Sequence, residues 1–222
     1  STGRPKGVAI EHRSLVNRLL WVHTAFGLSD ADRTLLVASI GFDVSLWEIL
    51  APLTVGGTTV MAPQGAGVDE LVHEIEAHRV TVVEIVPPLL SAMLEDPYIE
   101  SLGSLRTVIC GSEVFPAALA RRAAAKGLDA RLFNTYGLTE ATIDSTFWEV
   151  TSHENGHSVP IGRPIDNTQI YLLDDRMQPV PPGTPGQIYI GGVQNARCYV
   201  GQPGLTAASF VPDRFGDAPG GR

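Results

Sequence analysis

The pattern of apolar and polar positions changes period many times along the chain. EHRSLVNRLLWVHTAFG (residues 11–27) carries apolar side chains at helical spacing, with Leu15, Leu19 and Val22 on one stripe, and predicts a helix. RTLLVAS (33–39) predicts a strand. LWEILAPL (46–53) predicts a helix with Asp43 or Ser45 as its cap. TTVMAP (58–63) follows as a strand and DELVHEIEAHR (69–79) as a helix. TVVEIV (81–86) is a strand with one misfit, Glu84 among valines and isoleucine. PPLLSAMLED (87–96) is a helix with proline at its start. LRTVIC (105–110) is a strand, PAALARRAAAKG (116–127) a helix ending at glycine, and ARLFN (130–134) a strand. This alternation predicts an α/β fold from about residue 1 to 145, a mainly parallel sheet flanked by helices.

Beyond residue 150 the texture shifts. HENGHSVPIGRPIDN (153–167) and PVPPGTPGQ (179–187) are dense in Gly, Pro, Asn and Asp, and the short strands NTQIYLL (167–173) and GQIYIGG (186–192) lie among them. The expected division is residues 1–150 as the α/β part and 151–222 as a small β-rich, barrel-like subdomain. In an open parallel sheet, ligands sit beyond the carboxyl ends of the strands. The segments there are GFDVSLW, PP, CGSEVF and NTYGLTEATID.

Composition narrows the partners. The chain has 222 residues, 44% of them hydrophobic, enough for a core. Sixteen Lys and Arg against 24 Asp and Glu give a net charge of −8, which disfavours binding a nucleic-acid backbone. Cys110 and Cys198 show no zinc or disulfide spacing, and a reducing cytoplasm is the expected location. No apolar run approaches the 18 or so residues that a membrane span needs. The six histidines are scattered, and none has ligand spacing.

Several stretches carry candidate chemistry. STGRPKG (1–7) offers hydroxyls, glycines and a lysine suited to phosphate, although it lacks the Walker spacing and a plain turn fits it equally. NTYGLTE (134–140) offers an aromatic for a base, a hydroxyl for phosphate and a carboxylate for Mg²⁺, against the alternative of a turn and a capped helix. FDVSLWE (42–48) has a helix start as its ordinary reading.

STGRPKG, FDVSLWE, NTYGLTE and GQIYIGGVQNARCYVGQPGLTAASFVPDRF occur in that order, and together they resemble the adenylation domain of nonribosomal peptide synthetases, within the adenylate-forming superfamily. The resemblance covers essentially the whole chain. It departs at Leu138, where the family usually has proline, and at Cys198, where it carries glycine. It implies part of the large N-terminal subdomain, cut from a longer enzyme, with the ribose-binding aspartate and the catalytic lysine beyond residue 222. The fragment alone is therefore expected to adenylate weakly or not at all.

The resemblance further implies ATP, Mg²⁺ and an amino acid as ligands, and transfer to phosphopantetheine on a carrier domain. Peptidyl carrier and condensation domains of the same synthase would be the partners. It implies Thr2, Gly3 and Lys6 at the β- and γ-phosphates and Tyr136 stacked on adenine. Gly111, Ser112, Glu113, Asn134 and Gly137 lie around the nucleotide. Thr139 and Glu140 are catalytic, Thr139 at the α-phosphate and Glu140 on Mg²⁺. The amino-acid pocket is Asp43, Val44, Trp47, Glu84, Ile109, Gly111, Thr135, Ile143 and Asp144, with Asp43 on the substrate ammonium. Glu84 and Asp144 leave two carboxylates in one poorly solvated place, which favours a basic amino acid (ornithine or arginine first, then lysine or a cyclic guanidino relative), against the alternative that one carboxylate is protonated or faces solvent and the substrate is polar but neutral. The alternatives are an acyl- or aryl-CoA ligase, or a catalytically incomplete nucleotide-binding module.

Overall fold

The computed structural model describes residues 6–95, 97–216 and 221. The chain forms two compact units: Leu19–Tyr136 with Thr146–Arg163, and Ser1–Arg18 with Gly137–Ser145 and Pro164–Arg222. Helix α1 (His12–Phe26) contributes residues to both. Among the described residues no helix is long and apolar enough to cross a membrane.

The first unit is built on a parallel sheet. In chain order its strands are β2 (Arg33–Leu36), β3 (Thr58–Met61), β4 (Val82–Ile85), β5 (Thr107–Cys110) and β6 (Arg131–Tyr136). They run side by side in the order β3-β2-β4-β5-β6. Between them come α2 (Val44–Thr54), α3 (Val68–His78), α4 (Pro87–Met93) and α5 (Ala117–Ala125), as the alternating pattern predicts. Strands β4 and β5 are buried at every position, which explains their nearly unbroken apolar runs.

Side chains alternate across the sheet. Val83, Ile85, Val108, Cys110 and Leu132 join one core cluster with Leu71, Ile75, Leu90, Met93 and Leu119 from the helices and Phe115 from the loop before α5. Each fully buried aliphatic side chain there contributes about 1.5–3 kcal/mol. The alternate positions on β4 to β6 are Val82, Glu84, Ile109, Phe133 and Thr135. Phe133 packs 4.9 Å from Phe26, which lies 6.4 Å from Trp47, ring centre to ring centre. Glu84 is thus the one acid among these five positions.

Two local expectations need correction. Asp43 occupies the N-cap position of α2 but makes no side-chain cap bond, and its backbone is already helical. Ser45 turns back instead, its hydroxyl donating to the Phe42 carbonyl at 2.7 Å. The β-α repeat also stops early. After β6 only a single 3₁₀ turn (Thr139–Ala141) forms, and the chain returns as β7 (Thr146–Val150), antiparallel to β6, before the two-residue β8 (Arg163–Pro164). By contrast, α5 gives way at Lys126 and Gly127, and Gly127 has φ +78°, as the glycine predicts.

In the second unit, β9 (Thr168–Leu173) pairs antiparallel with β10 (Gln187–Gly192) along six residues. A shorter pair joins β1 (Val8–Ala9) to β11 (Cys198–Tyr199). The expected antiparallel strands are therefore present, and the short α6 (Pro203–Ser209) follows them.

Candidate functional site

In the sheet unit the candidate residues gather at the carboxyl ends of β4, β5 and β6 and at the start of α2. Glu84 and Ile109 are register partners on neighbouring strands. Trp47 is fully buried on α2, and its indole N–H donates to Glu84 Oε2 at 2.5 Å. The other oxygen, Oε1, lies 2.9 Å from where a Cβ on Gly111 would sit, and so does the Thr135 hydroxyl. The space that glycine leaves at 111 thus admits two polar groups of the protein itself, rather than only depth for a long ligand. Thr135 Oγ1 is buried with no hydrogen-bond partner, and so is Asp43 Oδ2. A buried carboxylate oxygen without a partner is costly unless a ligand completes it.

The remaining candidates of this unit differ in exposure. Val44 is half-buried at the first position of α2, and Ile109 is fully buried. Ser112 and Glu113 are exposed just past β5, and Ser112 holds a left-handed φ of +67°. Tyr136 is half-buried at the last position of β6. Asn134 is already engaged, its amide donating to the Pro160 carbonyl at 2.8 Å and more weakly to that of Val159. Burial, aided by the Glu84 charge, pushes the Cys110 thiol up, so it stays protonated and is no nucleophile.

The second unit holds Lys6, Gly137, Thr139, Glu140, Ile143 and Asp144; Thr2 and Gly3 lie outside the described residues. Thr139 is exposed on the 3₁₀ turn. Glu140 Oε1 accepts the Tyr199 hydroxyl at 2.5 Å, and the Lys6 ammonium lies 5.0 Å from the centre of that ring. Burial, then the bond to Glu140, pushes the Tyr199 phenol up and keeps it a donor. Gly137 packs against the chain at Ile143 so closely that a Cβ would fall 1.8 Å from the Ile143 carbonyl oxygen. Among the described residues no group of three or more His, Cys, Asp or Glu is placed to cage a metal. A single carboxylate at Glu140 nevertheless suits Mg²⁺, which favours one or two carboxylates with phosphate oxygens and water.

Two partners escaped the sequence reading. Asp144, expected as a free acid, forms a buried ion pair with Arg18 of α1. Tyr199 grips Glu140. The first left a signal: position 18 interrupts the stripe of Leu15, Leu19 and Val22, as Glu84 interrupts its strand.

The profile of the AMP-binding enzymes matches residues 1–200. The chain belongs to the AMP-binding enzyme family. Within that family it is 42% identical over 220 residues to phosphinothricin tripeptide synthetase PhsB of Streptomyces viridochromogenes, covering 98% of this chain and 18% of the relative. It is 39% identical over 232 residues to enterobactin synthase component F of Escherichia coli K12, covering 100% and 18%. The AMPPNP-bound form of the nonribosomal peptide synthetase FmoA3 superposes with a TM-score of 0.89 at 30% identity, covering 95% of this chain and 23% of that one. The resemblance to nonribosomal peptide synthetase adenylation domains therefore holds across this AMP-binding chain, as does its α/β fold. The chain spans about a fifth of the length of these relatives.

Proposed function

We propose that this chain contributes to an enzyme that activates an amino acid with ATP and passes it to a phosphopantetheine thiol on a carrier domain. A substrate carboxylate oxygen attacks the α-phosphorus, the bond to the bridging oxygen breaks, and pyrophosphate leaves. The thiol sulfur then attacks the acyl carbon, AMP leaves, and the thiol proton passes to solvent. Neither step needs a covalent enzyme intermediate. Gathering negative charge and aligning attack in line are the physical demands.

In this reading Lys6, with Thr2 and Gly3, serves the β- and γ-phosphates. Tyr136 stacks on adenine, with Gly111, Ser112, Glu113, Asn134 and Gly137 around the nucleotide. Thr139 bonds the α-phosphate. Glu140, pre-aligned by Tyr199, takes Mg²⁺, which when bound supplies charge neutralisation. Asp43 receives the α-ammonium group. The observation that carries the amino-acid reading is Asp43 Oδ2, buried and without a partner. A simple acyl or aryl acid has no cation to satisfy it.

Glu84 sets the side-chain preference. Its Oε2 accepts from Trp47, and a cationic side chain would add a countercharge at this buried carboxylate. The substrate is accordingly basic, ornithine or arginine before lysine. Because Asp144 already pairs with Arg18, this preference rests on one carboxylate and not on two. Pyrophosphate exchange by the complete synthetase across an amino-acid panel tests it. Ornithine, arginine or lysine is expected to lead, and Glu84→Gln to reduce the basic-over-neutral ratio about tenfold, the worth of one charge-assisted hydrogen bond. Faster exchange with neutral amino acids would sink the substrate assignment.

A further inference from the structure

Glu48 lies on α2, fully buried. Its Oε2 accepts the Ala38 amide at 3.1 Å and so closes the loop that leads from β2 into the helix. Oε1, equally buried, has no hydrogen-bond partner among the described residues. The main chain of the same residue is tied as well. The Thr59 hydroxyl of β3 donates to the Glu48 carbonyl at 3.3 Å and to that of Ile49 at 3.1 Å. Residue 48 is thus anchored to the sheet unit through both backbone and side chain. The loop it closes has little packing of its own. Ser39 to Phe42 are exposed, Ile40 at 85% and Phe42 at 69%. The bonds within it are short-range: the Phe42 amide donates to the Ser39 carbonyl at 2.8 Å, and the Ser45 hydroxyl to the Phe42 carbonyl at 2.7 Å. Asp43 sits midway between Ala38 and Glu48.

We propose that Glu48 is a positioning residue: its bond to Ala38 fixes the loop between β2 and α2 so that Asp43 presents its buried oxygen to the α-ammonium group of the substrate. This rests on the amino-acid reading above. Asp43 makes no cap bond, and its Oδ2 has no partner, so its place is set by the chain on either side. On one side is the helix, and on the other the loop that Glu48 clamps, all within one compact unit. A buried acid with one unpartnered oxygen is costly, and an apolar side chain at 48 avoids that cost. Such departures from a well-satisfied core gather where they hold a functional geometry. Burial favours the neutral form of Glu48, and the Ala38 and Val37 amides favour the charged one. Oε2 accepts in either form, so the clamp needs an acceptor rather than a charge.

Pyrophosphate exchange by the complete synthetase tests this through a ratio of kcat/KM values, that for ornithine over that for 5-aminopentanoate, which is ornithine without its α-amino group. Should another amino acid lead the panel, it and its own deaminated analogue take their place. Glu48→Leu removes the acceptor and is expected to lower the ratio roughly tenfold. A loss of folded enzyme alone lowers both rates and leaves the ratio unmoved. Glu48→Gln keeps a carbonyl oxygen for Ala38 and is expected to hold the ratio within about threefold of the parent. An unchanged ratio in Glu48→Leu overturns the proposal. A fall in Glu48→Gln as large as that in Glu48→Leu overturns it too, since the effect then belongs to the charge. If Glu48→Leu does not fold, Glu48→Asp draws the carboxylate back by one methylene and decides in its stead: the same fall is expected, and an unchanged ratio overturns the proposal equally. Failure of the underlying reading looks different. The parent then shows a ratio near one, and Asp43→Asn does not lower it.

Discussion

A methyl group at position 111 would come within 2.9 Å of both the Glu84 carboxylate and the Thr135 hydroxyl. The Glu84 carboxylate ends a flexible side chain, whereas the Thr135 hydroxyl sits on a stiff, buried β-branched one, so Gly111→Ala is expected to fold with a loss of about 1–3 kcal/mol. In the proposed reading the displaced carboxylate is the functional cost: preference for basic over neutral amino acids should drop about tenfold in the exchange assay. An unchanged preference would show that Glu84 does not depend on that gap. At this scale the sequence is legible wherever a charge breaks a pattern. Glu84 in an apolar strand and Arg18 in an apolar stripe are the same kind of misfit, but only the first invites attention, because arginine's long stem passes for a snorkelling surface residue. The pairing of Arg18 with Asp144 spans 126 positions and leaves no local trace.

Elements were legible where their period was sustained. The parallel strands and covering helices follow from runs and stripes, whereas β7 does not, since TFWEV begins directly after a turn rich in polar residues and pairs backwards. The start of α2 departs from expectation because Asp and Ser are ordinary caps and nothing local signals that Asp43 makes no cap bond. Within α2, Glu48 is fully buried, and its Oε2 accepts the Ala38 amide at 3.1 Å. Burial pushes this carboxyl up to about 7, against the opposing pull of the Ala38 and Val37 amides. An acid whose folded pKa is raised holds its proton in the folded state after the unfolded chain has lost it. Stability is therefore lost as pH rises from about 4.5 to about 7, by up to ~3 kcal/mol. Glu48→Gln is expected to raise Tm by several degrees at pH 8 and hardly at pH 5. Equal gains at both pH values would refute the titration.

The whole molecule is divided by contact rather than by chain order. Composition changes near residue 150, but Gly137–Ser145 and residues up to Arg18 share a unit with Pro164 onward. Those ties are specific: Ser14 to the Val193 carbonyl at 2.6 Å, Arg197 N–H to the Ala9 carbonyl at 2.8 Å, and Ala196 N–H to the Glu140 carbonyl at 2.7 Å. A chain cut after residue 150 keeps β2 to β7 yet strips Glu140 of Tyr199 and Ala196, and the carbonyls of Thr142 and Asp144 of the Gln194 amide. In amide hydrogen exchange its 137–145 segment should exchange far faster than in the uncut chain. Equal protection would mean that this segment is held by the first 150 residues alone. Long-range closure of this kind cannot be read from periodicity, which reports only neighbours along an element.

The left-handed turn at Thr142 and Ile143 bears on anyone wishing to retarget this protein by side-chain exchange. Two successive β-branched residues sit where L-residues pay roughly 1–2 kcal/mol each, on a backbone pressed against Gly137. A replacement at 143 is filtered by its tolerance of that conformation before its size or polarity matters. Glycine or asparagine would relax the turn and let Asp144 drift, while another bulky residue inherits the strain. For the proposed pocket, the repertoire of ligands within reach by substitution is thus narrower than its chemistry alone suggests, and widening it means rebuilding the turn together with Gln194.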